Sequence, residues 1–135
     1  MKTEIEFDRY GMTSEEVARF VGEVVETLVL RNIQYLHNHP RLRLFDAKIR
    51  YAESLVWRDV PHVLKNGCGD CKSIVPWRLA ELRSLGEDAL VQVVVLDEAR
   101  LFHLQVVREG GDVEDTCLLL GMNSRDNVVS LHARK

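Results

Sequence analysis

The residue types able to act on a substrate gather in one short stretch, Asn66-Gly67-Cys68-Gly69-Asp70-Cys71, and at His103 and the Glu114-Asp115 pair. A thiol attacks as the thiolate, and the start of a helix, with its unpaired amides and dipole, is a common local device for lowering a cysteine pKa. Cys71 stands where such a helix should begin. Gly67 and Gly69 allow a sharp turn, Asp70 suits the N-cap, and an apolar three- and four-residue spacing runs from Ile74 through Leu85 to a stop at Gly86. Pro76 is the discord in that helix: it removes the bond to the Lys72 carbonyl and is expected to kink the helix or disturb its first turn. The chemistry such a cysteine implies is nucleophilic attack by sulfur, which needs a base within hydrogen-bond reach and a third group to orient the base.

Five histidines are candidates for the base, and His103 is favoured. In a strand over 101–107, Phe102, Leu104 and Val106 form the apolar face, while His103 shares the other with Gln105 and Val107. A second strand, expected from Asp112 to Cys117 across the Gly110-Gly111 turn, brings Glu114 and Asp115 alongside. Either carboxylate is able to bind the imidazole N–H and hold its tautomer, and a slip of one residue in register exchanges them. His37 and His39 fall at a helix C-terminus, where they suit the dipole. His62 and His132 are expected at the surface, and Cys117 as a small buried apolar residue.

A rival arrangement uses the same residues as ligands. Cys68-x-x-Cys71 with His103 and Cys117 supplies the four groups of a tetrahedral zinc site, or the cysteine pair alone a redox couple. A single pair without a second closely spaced knuckle is weak, so neither metal nor cofactor is expected.

The elements that must position these residues follow from periodicity. Val17, Val21, Val24, Leu28 and their neighbours predict one long helix from Ser14 to about His37, capped at Thr13 or Ser14 with Glu16 in the capping box and ended ahead of Pro40. Its apolar surface is wide enough for burial on two sides or for a homodimer contact. The basic residues Arg41, Arg43, Lys48 and Arg50 are expected on a solvated face, and Tyr51 to Leu64 reads as short and mixed. Leu90 to Leu96 and Leu101 to Val107 read as an antiparallel hairpin joined by Asp97 to Arg100, and 128–131 as a last short strand before a frayed end. Helices precede a meander of strands, so the fold class is α+β.

Gly67-Cys68-Gly69-Asp70-Cys71-Lys72, Trp77 to Arg83, Phe102-His103-Leu104, Glu114-Asp115-Thr116 and Leu120-Gly121-Met122, with lead-in segments Gln34 to Pro40 and Ile49-Arg50-Tyr51, resemble the bacterial and phage transglutaminase-like cysteine peptidase domains. The resemblance spans about residues 31–122 and implies a minimal papain-like core, the cysteine helix packed on an antiparallel sheet. Carried over by position, it makes Cys71 the nucleophile, His103 the general base and acid, and Asp115 the orienting residue. The implied reaction is acyl transfer or hydrolysis at the amide bond of a peptide or protein. The Cys71 backbone N–H is the first oxyanion donor, with Asn66 and Trp57 as candidates for the second. Pro76, Ser73 and Thr116 depart from the family pattern, in which a small helix former, an acidic residue and a proline are usual. The alternatives are an inactive assembly or binding module of the same family, and the small zinc domain.

Composition narrows the classes. The 135 residues are 46% hydrophobic and 29% charged, as expected of a single ordinary globular domain over 1–135. A net charge of -3 argues against a nucleic-acid surface. Three cysteines are too few and too odd for a disulfide scaffold, which points to reduced thiols in the cytoplasm. No signal-like apolar core is expected in 1–10 and no uncharged run long enough for a membrane span.

Overall fold

The computed structural model describes residues 2–3, 13–96, 101–122 and 129–130. The turn expected at Asp97 to Arg100, and the end of the chain except for its short strand, lie outside the described residues.

Helix α1 spans Ser14–His37. Its start is the capping box expected from the sequence: the Glu16 N–H donates to Thr13 Oγ1 at 3.1 Å and the Thr13 N–H to the Glu16 carboxylate at 2.9 Å. Val17, Val21, Val25, Leu28, Val29 and Leu36 are buried along one face. Asn32 is buried among them and is not idle, since its Oδ1 accepts the Val60 N–H at 2.9 Å. The helix ends at Asn38, ahead of the position that Pro40 excludes from helical geometry. After a short 3₁₀ turn at Leu44–Asp46, the basic residues 41, 48 and 50 stand exposed while Leu44 and Ile49 enter the core.

The segment read as mixed holds more order than its pattern suggests. Strand β1 (Lys2–Thr3) pairs antiparallel with β3 (Trp57–Arg58), and β2 (Arg50–Tyr51) pairs parallel with β4 (Cys68–Gly69). Between β3 and β4 lies α2, Val60–Asn66, capped by Asp59, with Pro61 in its first turn and Gly67 as its left-handed C-cap at φ 72°. Helix α3 then runs over Cys71–Ser84. Pro76 does not interrupt it, and its first turn is regular, with the Ile74 N–H donating to the Asp70 carbonyl at 2.9 Å. It stops in a Schellman turn: Gly86 has φ 92°, its N–H donates to Arg83, and the Glu87 N–H donates to Leu82.

Strands β5 (Leu90–Leu96) and β6 (Leu101–Val107) pair antiparallel from Leu90↔Val107 to Leu96↔Leu101, as the periodicity predicts. The strand expected over 112–117 is a correction. Only Val113–Glu114 forms β7; Asp115 is then the N-cap of a short helix α4, Thr116–Leu119, so Cys117 is helical. The physical reason is the Asp115-Thr116 step, whose capping side chain accepts the Leu118 N–H and starts a turn in place of the ladder. Strand β8 is Val129–Ser130.

Because β5 occupies one edge of β6 along its whole length, β7 and β8 share the other edge, β7 at Val106–Val107 and β8 at Leu101–Phe102. Helices α1 and α3 pack on each other, α1 on β5 and α3 on β6. Leu28, Ile74, Trp77, Leu79, Phe102 and Leu104 fill the layer between them, each buried aliphatic contributing about 1.5–3 kcal/mol. The class is α+β. Among the described residues no helix is long and apolar enough to cross a membrane.

Candidate active site

The start of α3 is fastened from several directions. Asp70 Oδ1 accepts the Lys72 N–H at 3.2 Å, while Oδ2 accepts the Lys72 ammonium at 2.6 Å and the Ser54 N–H at 3.0 Å. The same ammonium donates to the Ser54 carbonyl at 2.6 Å, and the Arg58 N–H donates to Ser73 Oγ at 2.9 Å. The 54–58 segment is thereby tied across the helix start, and both members of the Asp70–Lys72 pair are buried and hydrogen-bonded. Cys71, between them, is 1% exposed.

His103 is also buried, at 3%. Its Nε2 lies 2.9 Å from Asp115 Oδ2, which Gln105 also reaches with its amide at 3.3 Å. His103 and Gln105 thus share a strand face, as expected, but that face is covered. With Asp115 as carboxylate, Nε2 carries the proton and Nδ1 presents its lone pair in the neutral ring. Among the described residues, Nδ1 is buried without a hydrogen-bond partner. Helix α3, which begins at Cys71, packs on this strand, but the Cys71 sulfur makes no hydrogen bond with His103 Nδ1. Among the described residues, the stretch 103–105 of β6 lies between the pairings with β7 and β8.

The electrostatics overturn one expectation. Burial pushes the Cys71 thiol well above its ordinary value, and the Asp70 and Asp115 carboxylates add to the rise. Lys72 and the Leu104 N–H oppose it without prevailing. Desolvation, which disfavours the charged form, is the largest cause because the sulfur is almost wholly buried. Cys117, buried in α4, is raised by burial and then by Cys71, and Tyr51 by burial and then by Asp70 and the two thiols. These three side chains and the carboxylates therefore form one neighbourhood.

Glu114 and Asp115 are put to different uses. Glu114 receives Arg78 at 2.9 and 3.1 Å, Arg108 at 3.0 Å and the Thr116 hydroxyl at 2.8 Å, so it is a scaffold group, and Asp115 alone meets the imidazole. Of the two oxyanion candidates, Asn66 ends α2 with its amide committed to the His62 carbonyl at 2.7 Å. Trp57 is buried beside the first turn of α3 and stacks on Phe102 at 6.3 Å between ring centroids. His62 lies in α2 rather than a loop and bonds Asp59, while His39 stacks on Tyr35. Cys68, Cys71, His103 and Cys117 do not converge as ligands: among the described residues no group of three His, Cys, Asp or Glu is arranged to hold a metal.

Lys72, Ser54 and Tyr51 escape sequence reasoning. Lysine after the cysteine reads as a solvated side chain, and only the fold of 52–56 over the helix start buries it. Comparison with protein-family models, with curated proteins and with solved structures finds no match for this chain.

Proposed function

We propose that this chain is a thiol-dependent acyltransferase or amide hydrolase of the transglutaminase-like kind, built on a minimal papain-like core. The observation that carries the reading is the buried His103 ring, held at Nε2 by Asp115 and unpartnered at Nδ1, on the strand against which the helix beginning at Cys71 packs. A buried polar atom without a partner costs about 1–3 kcal/mol; among the described residues Asn32 Nδ2 and Trp77 Nε1 share that state, and of the three His103 Nδ1 is the one able to accept a proton. In the proposed reaction the Cys71 proton passes to His103 Nδ1 as sulfur bonds to the amide carbon. His103 then gives that proton to the leaving amine as the C–N bond breaks. Water or a second amine attacks the thioester and loses a proton to His103, which returns it to the Cys71 sulfur as the C–S bond breaks. The substrate is the amide of a peptide or protein, in a setting that keeps Cys68, Cys71 and Cys117 as the free thiols they are. A homodimer through α1, where Leu30 is exposed, belongs to the same proposal.

The 1% exposure of Cys71 favours a second reading, an inactive binding or assembly module. A p-nitrophenyl ester separates the two. The first predicts a burst of nitrophenol, an acyl group on Cys71 by mass spectrometry, and slowing by roughly 10²-fold or more in His103→Gln. Absence of acyl-Cys71, or equal acylation in His103→Gln, would overturn it in favour of the module.

A further inference from the structure

Four large apolar side chains that stand exposed, Leu85 (58%), Val113 (53%), Leu118 (47%) and Leu119 (63%), line a single cleft of about 1010 Å³ between the end of α3, the turn into β7, and α4. Apolar residues scattered singly over a surface need no explanation, whereas four on one concavity offer a partner apolar contact. The charge around them is one-sided. Glu109 and Asp112 are exposed on the rim with no cationic partner among the described residues. Arg108, the one cation among the described lining residues, is taken up by Glu87 and Glu114. A partner seated here would bury its own apolar groups on the leucines and find carboxylates, not guanidinium, at the rim.

We infer that this cleft docks a peptide segment of another protein in which leucine-like side chains are interleaved with lysine or arginine. Asp115 is one of the lining residues, whereas Cys71 and His103 are not, so the cleft abuts the proposed site but its docking surface does not depend on the sulfur.

Fluorescence anisotropy with two dye-labelled peptides tests this, one of leucine and lysine with leucines at three- and four-residue spacing, the other with glutamate for every lysine. The lysine peptide is expected to bind at least roughly tenfold more tightly than the glutamate peptide. Leu119→Glu should abolish that binding, and Glu109→Lys with Asp112→Lys should reverse the preference. Melting curves establish that the variants are folded, and Leu118→Ser substitutes for Leu119→Glu if that variant is not. No binding of the lysine peptide, equal binding of both, or indifference to the folded leucine variant overturns the proposal. So does self-association in sedimentation that Leu119→Glu abolishes, since the occupant would then be a second copy of this chain.

Discussion

The two ends of α3 differ in how their polar groups are matched. Around Arg78 and beyond, carboxylate and guanidinium groups match: Arg78 binds Glu81 and Glu114, Arg108 binds Glu114 and Glu87, and Arg83 binds Glu26, while Glu81 also accepts the Leu44 N–H at 2.7 Å. Two turns earlier, around Cys71, the match is incomplete. The Asp70–Lys72 pair is complete, but the thiol is held away from ionisation and the His103 Nδ1 has no partner. A paired network, in part exposed, holds α3, β6 and β7 together, whereas the deeply buried start of α3 lies near a ring nitrogen, His103 Nδ1, with no hydrogen-bond partner among the described residues. Glu114 and Asp115, adjacent in the chain, divide between these two uses.

The comparison is most sharply tested at the sulfur. Cys71→Ala should lower acyl transfer to an activated ester by at least ~10³-fold while leaving the unfolding transition nearly in place, since the lost group is small. An unchanged ester rate in that variant would remove the chemistry from this end of α3. Lys72→Met is expected to cost about 3–5 kcal/mol in urea unfolding, because it strands the buried Asp70 carboxylate. The same change withdraws a charge that favours the thiolate, so peptide-resolved alkylation of Cys71 should need still higher pH.

At the paired end, Arg78→Ala should cost about 2 kcal/mol, less than the lysine change because Glu114 keeps Arg108 and Thr116. Glu114 is pushed up by burial but pulled further down by hydrogen bonds from Arg78 and Thr116, and its pKa lies below the ordinary 4.5. Its carboxylate therefore contributes stability that is fully present above pH 4.5 and is lost as the pH falls through the lowered value. Glu87, lowered to about 2 chiefly by Arg108, extends that loss further into acid. Acid titration of stability should be visibly flatter in Glu114→Gln, and an unchanged slope would show that this network is not coupled to folding. Thr13→Ala touches neither end and should cost about 1 kcal/mol by melting temperature, the loss of one helix cap.

What could be read in advance was whatever rests on local chemistry. Thr13 with Glu16, Asp70 ahead of Cys71, Gly86 after the last apolar residue and the alternation of β5 and β6 each carry their own instruction. Helix α2 carried one too, in Asp59, Pro61 and Gly67, but seven residues are too few for periodicity to speak. Beyond local reach lay the burial of Lys72 and the rise in the Cys71 pKa, both made by residues distant in the chain that close over the start of α3. Register was the other limit: the choice between Glu114 and Asp115 needed the end of β7, which the Asp115 cap sets.

The interrupted outer edge of β6 has a consequence for observation. Among the described residues, positions 103–105 have β5 as their one strand neighbour, and the helix that begins at Cys71 packs on β6. Whatever is attached to the buried Cys71 sulfur must be accommodated against that half-paired stretch. Hydrogen exchange at the amides of 103–105 is therefore expected to quicken once the sulfur carries a group.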